Sequence, residues 1–334
     1  MPFIIVRDDL TKMQVDAVVN TTNTKLLQGT GGVSGAIFKA AGETALREAC
    51  KRIGGCPMGG AVITPGFNLP AANIIHTPSM VWVDGQHGEE AALRACYRAC
   101  LLMAGEEGFE RIAFPLIGSG AHGYPKELAL AVATQEINRF LLGFDGDMTV
   151  YLAVFGHRAF ALSKKLTDEV HEYIDDHYVD LRPDRRRQLT EDNYPAMAVQ
   201  GAMQEADMAM PMDLEIAAEP SFAKALTGFI DSHQLTDPEV YKRANITKQN
   251  FYKIKTEKCQ PKKTTALALC VALRLDLDKT VSFLQLAGYA LSPASRPDLI
   301  VRYFISRGVY DVMEINSVLF VQGFEKCLLG SADK

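Results

Sequence analysis

The first 178 residues alternate short β-rich runs with longer amphipathic stretches, and this alternation limits the possible folds more than any other feature. The β-rich runs lie at 3–6, 15–20, 61–64, 74–77, 111–116 and 148–155. Stretches with apolar residues at i, i+3 and i+4 lie at 35–53, 89–104, 126–142 and 159–178. Strands alternating with helices of this length form a mainly parallel sheet with helices on both faces. The pattern predicts an α/β domain whose ligand binds beyond the carboxyl ends of strands.

Two of the predicted strand-to-helix loops are rich in glycine. The first covers residues 20–35 and contains four glycines among small hydroxyl residues; the second covers residues 115–125 and reads Pro-Leu-Ile-Gly-Ser-Gly-Ala-His-Gly-Tyr-Pro. Neither has the lysine of a GxxxxGK[ST] loop, so the pair indicates a pyrophosphate held by backbone amides rather than metal-dependent ATP hydrolysis. Taken singly, each loop is equally typical of an ordinary glycine-rich turn.

Composition excludes several classes of protein. The longest apolar run, near residues 266–273, is far shorter than the roughly 18 residues that a membrane helix needs, and the N-terminus lacks the pattern of a signal peptide. The seven cysteines form no CxxC pair, which argues against a disulfide framework and a closed zinc site. We therefore expect a cytoplasmic protein with no membrane partner, no metal and no cofactor.

Charge divides the chain of 334 residues into three segments. Residues 1–178 and 179–220 each carry a net charge of −5, whereas residues 221–334 carry +5. The middle segment is rich in Met, Ala, Pro and acidic residues without a sustained helical period, which is typical of a linker. The sequence thus predicts an α/β domain at 1–178, a linker at 179–220 and a helical domain at 221–334 whose basic character suits an anionic partner.

The motifs of residues 1–178 together resemble the macrodomain family. They comprise Asp8-Asp9-Leu-Thr-Lys, Val15-Asp-Ala-Val-Val-Asn-Thr-Thr-Asn23, Gly31-Gly-Val-Ser-Gly-Ala-Ile37, Ile74-Ile-His-Thr77 and Phe114-Pro-Leu-Ile-Gly-Ser-Gly-Ala-His-Gly-Tyr-Pro125, in the family's order and spacing. The resemblance implies a three-layer α/β/α domain that binds ADP-ribose and, in many members, removes it from modified proteins. It implies ADP-ribose or an ADP-ribosylated protein as the partner.

The resemblance also implies a role for individual residues. Asp9 would accept a hydrogen bond from the adenine amino group beside the Leu10 backbone, Asn23 would hold the distal ribose, and Phe155 would pack on the adenine. Backbone amides of both glycine loops would wrap the diphosphate. The implied ligand contacts are Asp9, Leu10, Asn20, Asn23, Gly31, Gly32, Val33, Ser34, Ser119, Gly120, Ala121, His122 and Phe155.

Two positions depart from the family's pattern. In one group of its hydrolases an Asp at the position of Ser34 orients the attacking water, and a serine is a poor base in its place. Where the family usually has an aromatic residue in contact with the distal ribose, this chain has His122. A histidine there would polarise water, bind a phosphate or simply pack on the sugar. The candidate catalytic residues are therefore Asn23, Ser34 and His122. We expect a hydrolase of mono-ADP-ribosyl linkages or O-acyl-ADP-ribose, with a non-catalytic ADP-ribose sensor as the alternative. His76, on a buried-type strand, is expected to be a core residue.

From residue 221 the chain predicts consecutive helices at 222–232, 237–244, 248–256, 263–273, 277–287, 295–306 and 309–320. Residues 222–290 resemble the Cro/repressor type of helix-turn-helix, with the reading helix capped by Thr247. Its outward residues would be Lys248, Gln249, Asn250, Lys253 and Lys255, which suit base edges and phosphates. DNA is the predicted partner of this domain, and a protein-docking module is the alternative.

Overall fold

The structure, a computed structural model, describes residues 2–29, 31–154, 164–178 and 220–330. The predicted linker, apart from its last residue, and Phe155 lie outside these ranges. Among the helices of the described ranges, none combines the length and apolarity that crossing a bilayer requires.

The described N-terminal residues form a six-stranded sheet flanked by helices. The strands are β1 (Phe3–Val6), β2 (Ala17–Thr22), β3 (Val62–Pro65), β4 (Asn73–Pro78), β5 (Arg111–Pro115) and β6 (Thr149–Ala153). The helices are α1 (Gly32–Ala41), α2 (Glu43–Ile53), α3 (Glu89–Glu106), α4 (Lys126–Gly143) and α5 (Lys164–His177). The strand order is β1-β6-β5-β2-β4-β3, and β3 alone pairs antiparallel. The predicted mainly parallel sheet is confirmed.

Alternate residues of the sheet face two separate cores, which makes the α/β part three layers thick. On β2, Ala17 and Val19 belong to a core that includes α3 and α4, whereas Val18 belongs to a core with α1 and α2. Successive side chains of a strand point to opposite faces, so a strand covered on both sides carries apolar residues at consecutive positions, as Ala17, Val18 and Val19 do. This explains why the run at 15–20 lacks polar alternation.

The prediction of a single helix at 35–53 is wrong, because the structure has two helices that meet at Gly42. This glycine has a φ of 100°, where a residue with a Cβ would be strained. Its N–H donates to the carbonyl of Phe38, which ends α1, and its own carbonyl accepts from Leu46 at 3.1 Å, which begins α2. The break therefore separates α1, whose first turn lines the cavities described below, from α2.

The described C-terminal residues are entirely helical apart from their connections. The helices are α6 (Phe222–Ser232), α7 (Asp237–Arg243), α8 (Lys248–Lys255), α9 (Lys263–Ala272), α10 (Leu277–Leu286), α11 (Arg296–Ser306) and α12 (Val312–Val321). Each lies within three residues of its predicted bounds. The last begins later than predicted because Asp311 caps it, accepting from the N–H groups of Met313 and Glu314.

The helical part packs against the open edge of the sheet. The side chain of Asn245, in the turn between α7 and α8, bonds to both backbone groups of Phe3 in β1. On α11, the Tyr303 hydroxyl donates to Glu169 of α5 at 2.7 Å. Buried apolar residues of α3, α4, α6 and α12 form one continuous core. The two parts therefore share a packed interface rather than a tether alone.

Candidate functional site

A groove crosses the carboxyl ends of the central strands, between the loop that leads into α1 and the loop that follows β5. It consists of two cavities of about 400 and 530 Å³. Both are lined by Gly32, Val33, Pro115, Leu116 and Gly120, so they are neighbouring halves of one groove. We call the half that contains Asn23 and His122 the distal half, and the half that contains Asp9 the proximal half.

The middle of the groove is lined by backbone amides. Gly32, Val33 and Ser34 form the first turn of α1, whose N–H groups have no partner within the helix and point along its positive end. On the facing loop, the N–H of Ser119 donates to the Leu116 carbonyl at 3.3 Å, so it is not directed at a ligand. The amides of the next three residues, 120–122, remain as the donors on that side. Backbone N–H groups in two facing loops suit an anion such as a diphosphate.

Asn23 lies at the exposed edge of the distal half. Its carboxamide oxygen accepts from the N–H groups of Lys25 and Leu27, at 3.0 and 3.2 Å, and thereby shapes the loop. Because the oxygen already accepts these two hydrogen bonds, the amide nitrogen is the part of Asn23 that would reach a ligand. A donor at this position suits a ribose hydroxyl.

Ser34 is buried at the base of the same half. Its hydroxyl oxygen accepts from the N–H of Gly29 at 3.3 Å, which braces the loop against α1. The described residues that line the distal half include no Asp or Glu. A water held there would therefore be oriented by hydroxyl, amide and imidazole groups and not by a carboxylate.

His122 lines the same half from the other loop and is held by two hydrogen bonds. Its Nδ1 hydrogen-bonds to the hydroxyl of Ser79, and its carbonyl accepts from the N–H of Trp82 at 2.8 Å. Trp82 in turn packs edge-on against Tyr124, with ring centroids 4.5 Å apart. Burial lowers the pKa of His122, so the imidazole is neutral at physiological pH.

The segment that carries Ser79 and Trp82 is itself anchored by Glu89, at the start of α3. One carboxylate oxygen accepts from the N–H groups of residues 83, 84 and 85, and the other accepts from that of His87 at 2.7 Å. Burial acts to raise the pKa of Glu89, but these amide donors outweigh it and leave the pKa at about 2. Asp84 and His87 lie beside this carboxylate, whose oxygens are already occupied by the backbone.

Asp9 lies in the proximal half. Its carboxylate accepts from the hydroxyl of Thr11 at 2.7 Å and from the N–H of Thr11 at 3.0 Å. The hydroxyl bond is the main reason that the pKa of Asp9 lies below its ordinary value. The next residue, Leu10, is mostly buried and lines the same cavity. An ionised carboxylate beside an apolar wall can accept from an exocyclic amine of a purine. Phe155, predicted to pack there, lies outside the described residues.

Asn20 was predicted to contact the ligand, but the structure buries its side chain completely inside the sheet. It pairs in register with His76 on β4, and its amide nitrogen lies 3.0 Å from Nδ1 of that histidine. The other ring nitrogen of His76 lies 2.8 Å from the hydroxyl of Thr64. The prediction that His76 is a core residue is confirmed, and burial lowers its pKa to about 4.

The predicted DNA-contacting residues lie on α8, away from the groove. Lys248, Gln249 and Lys253 are exposed, and Asn250 is partly buried. Lys255 was predicted to point outward. In the structure its ammonium group instead bonds to both carboxylate oxygens of Asp237, at 2.7 and 2.9 Å.

Sequence reasoning missed Ser79 and Glu89. Both act through contacts with a loop whose path has no periodic signal. Ser79 follows a strand directly, a position at which a small hydroxyl residue is common without a role. The acid at the start of α3 is typical of any helix N-terminus. Only the folded arrangement brings Ser79 to His122, which is 43 residues further along the chain.

Comparison with known proteins bears on the same part of the chain. The sequence model of the Macro domain family matches residues 19–133. A Macro domain-containing protein of Methanosarcina mazei is 44% identical over 166 residues, which cover 50% of this chain and 88% of the relative. An O-acetyl-ADP-ribose deacetylase of Salmonella gallinarum is 41% identical over 166 residues, covering 48% of this chain and 92% of the relative.

Among solved structures, the Oceanobacillus iheyensis macrodomain with ADP is 35% identical to this chain, with a TM-score of 0.45 over 50% of this chain and 90% of that one. The family assignment rests on the two sequence relatives, most of whose length is matched at more than 40% identity. The chain belongs to the Macro domain family.

Proposed function

We propose that the groove binds ADP-ribose and that the protein hydrolyses the bond joining ADP-ribose to an acyl group or to a modified acceptor. One observation carries this proposal. A single groove places a carboxylate at one end, backbone amides in the middle and an amide-imidazole pair at the other end. This order of groups matches the adenine, the diphosphate and the distal ribose of ADP-ribose.

The 41% identical relative named O-acetyl-ADP-ribose deacetylase supports a hydrolase. In this chain the amide nitrogen of Asn23 would hold a hydroxyl of the distal ribose, and Ser34 and His122 would border the bond to be cleaved. Water would attack the acyl carbon or the anomeric carbon, and its proton would pass to the departing oxygen or nitrogen. Products would be ADP-ribose and the acid or the unmodified acceptor.

The lack of an acidic side chain among the described lining residues of the distal half supports slow turnover. A positioned general base contributes about 10²- to 10⁴-fold to a rate, and a serine hydroxyl does not replace it. The same observation favours the second candidate, an ADP-ribose sensor without hydrolysis. The two candidates share the ligand and differ in turnover.

The test measures release of free ADP-ribose from O-acetyl-ADP-ribose and, separately, from an arginine-linked acceptor. Wild type is compared with Asn23→Ala and with Gln28→Ala, a control in the same loop whose side chain bonds to Arg47 outside the groove. Release that Asn23→Ala abolishes and Gln28→Ala retains supports the hydrolase. Tight binding of ADP-ribose by calorimetry without release supports the sensor, and no binding contradicts both.

We further propose that α8 binds DNA as the reading helix of a helix-turn-helix. Support comes from the exposed side chains of Lys248, Gln249 and Lys253, and from the net charge of +5 on residues 221–334. The α7–α8 turn contacts Phe3 at the start of β1, whereas the groove lies beyond the strand ends, so DNA and ADP-ribose would occupy separate surfaces.

The test is DNA binding by the full chain at several salt concentrations. Lys253→Glu should abolish binding, and Lys39→Glu, the same charge change on an exposed residue of α1, should leave it within about twofold. Binding that Lys253→Glu retains would contradict the assignment of α8 and would favour a protein-docking role for this domain.

A further inference from the structure

The contact between Ser79 and His122 determines what the imidazole offers to a ligand. Ser79 directly follows β4 and is only 6% exposed. Its N–H donates to the carbonyl of Thr22, the last residue of β2, at 3.3 Å, so the serine backbone is held by the sheet. Its hydroxyl hydrogen-bonds to Nδ1 of His122.

The direction of that hydrogen bond follows from what surrounds the hydroxyl. Within the described residues, Nδ1 of His122 is the partner that the structure shows for the Ser79 hydroxyl. A buried hydroxyl that accepts from Nδ1–H would leave its own hydrogen unpaired, at a cost that a single accepted bond does not recover. The hydroxyl therefore donates to Nδ1, and the proton of the neutral imidazole is on Nε2.

A serine next to a histidine is also the arrangement of an activated nucleophile, but the geometry opposes that role. Ser79 is not among the residues that line the groove, whereas His122 is. The hydroxyl of Ser79 bonds to Nδ1, and the histidine rather than the serine lines the distal half. The serine thus acts on the ligand through the histidine.

We propose that Ser79 is a positioning residue that fixes the tautomer of His122, so that the imidazole presents Nε2–H to an oxygen atom of the ligand. This inference rests on the proposed ADP-ribose site and assigns His122 the role of a neutral hydrogen-bond donor rather than a general base. Asn23 and His122 both line the distal half, so the Asn23 amide nitrogen and Nε2–H are two donors available there. Such a pair suits a ribose hydroxyl, a phosphate oxygen or the oxygen of an ester carbonyl on which charge develops.

The direct test is the tautomer itself, measured in the full-length protein labelled with 15N-histidine at neutral pH. The His122 signals are assigned by their loss in His122→Gln. We expect an Nδ1 resonance typical of an unprotonated nitrogen in wild type, and a mixture of tautomers in Ser79→Ala. Ser317→Ala, which removes a comparably buried hydroxyl from α12 (5% exposed), is the control and should leave the spectrum of His122 unchanged. A protonated Nδ1 in wild type would overturn the proposal.

The kinetic test separates donor, base and packing roles by two substitutions of His122. Gln carries an N–H near the position of Nε2 but no basic nitrogen, whereas Phe retains only the bulk. With O-acetyl-ADP-ribose we expect kcat/KM of His122→Gln within about fivefold of wild type, and that of His122→Phe lower by about 10- to 100-fold. Equal losses in the two variants would indicate a base, and full activity of the Phe variant would indicate packing; either overturns the proposal.

The two proposals fail in different ways. If wild type binds ADP-ribose but releases none from any substrate, the hydrolase is excluded, while the tautomer experiment still decides the role of Ser79. In that case the dissociation constant of ADP-ribose should rise more in His122→Phe than in His122→Gln. If release depends on Asn23 but Nδ1 of His122 is protonated, the hydrolase stands and the role of Ser79 is wrong.

Discussion

The side chain of Asn245 bonds to both backbone groups of Phe3, a residue 242 positions away. Its oxygen accepts from the Phe3 N–H at 2.6 Å, and its nitrogen donates to the Phe3 carbonyl at 2.9 Å. These are the bonds that a neighbouring strand would make to the outer edge of β1. Asn245 has a φ of 56°, a conformation that asparagine tolerates better than most residues with a Cβ. One residue of the α7–α8 turn thus pairs both outward backbone groups of Phe3 at the edge of the sheet.

Replacement of Asn245 should destabilise the whole protein. Asn245→Gly keeps the backbone conformation accessible but leaves the Phe3 N–H and carbonyl unpaired, so we expect a loss of about 2–4 kcal/mol in the free energy of unfolding. Asn245→Ala should lose about 1 kcal/mol more, because alanine is strained at positive φ. Urea unfolding measures both, with exposed Gln249→Ala as the control. Stabilities equal to wild type would mean that the two parts of the chain do not depend on this contact.

His76 should make the protein less stable in mild acid. The pKa of His76 is about 4 in the folded protein and 6.5 when the side chain is exposed in the unfolded chain. Between these two pH values the unfolded chain binds a proton that the folded protein does not. Stability contributed by neutral His76 is complete above pH 6.5 and declines as the pH falls to about 4, by about 3 kcal/mol in all. The difference between wild type and His76→Gln, measured by urea unfolding across this range, isolates the effect. Exposed His233→Gln is the control, and parallel curves for wild type and His76→Gln would contradict the prediction.

Gly120 should be required for ligand binding but not for folding. A Cβ built on this residue meets no atom within 4 Å, and the residue lines both halves of the groove. Gly120→Val would therefore fill the middle of the groove without a clash inside the protein. We expect loss of ADP-ribose binding by calorimetry with an unchanged melting temperature. Gly228→Val, at an equally open position on α6, should bind as wild type does. Undiminished binding by Gly120→Val would place the ligand elsewhere.

Glu89 should hold the loop that carries Ser79 and Trp82. In Glu89→Gln one of the two side-chain oxygens becomes an amide group that cannot accept, so the His87 N–H, or those of residues 83–85, must lose their partner. We expect faster hydrogen exchange of these amides, measured by mass spectrometry on peptides covering the loop. Glu90→Gln changes the adjacent acid, which bonds to Arg94, and should not affect this loop. Equal exchange rates in Glu89→Gln and wild type would show that the carboxylate is not the anchor.

The parts of the fold that depend on periodic side chains were predictable from the sequence. The six strands and the C-terminal helices lie close to their predicted bounds, because burial on one or both faces imposes a period on each element. The break at Gly42 was not predicted, since an apolar period of 3.6 continues through it and a glycine alone does not specify a left-handed φ.

The candidate site divides in the same way. Residues of both glycine loops line the groove, because local sequence determines where a glycine-rich loop lets the backbone border a cavity; their contacts with a ligand stay a prediction. Asn20 was misplaced, because its burial depends on the pairing of β2 with β4 in the register that sets it opposite His76. Lys255 was misplaced because its partner Asp237 belongs to another helix. Contacts between distant elements leave no pattern in a single sequence.

The cover that Asn245 and α12 provide for β1 also concerns solubility. An open strand edge offers unpaired N–H and carbonyl groups to other chains and is a common starting point for aggregation. At the opposite edge, β3 is only four residues long and ends in Pro65, a poor template for strand addition. A fragment cut after residue 178 would expose β1 and the apolar surface beneath α12. The helical part therefore leaves less of the β1 edge open to pairing with another chain.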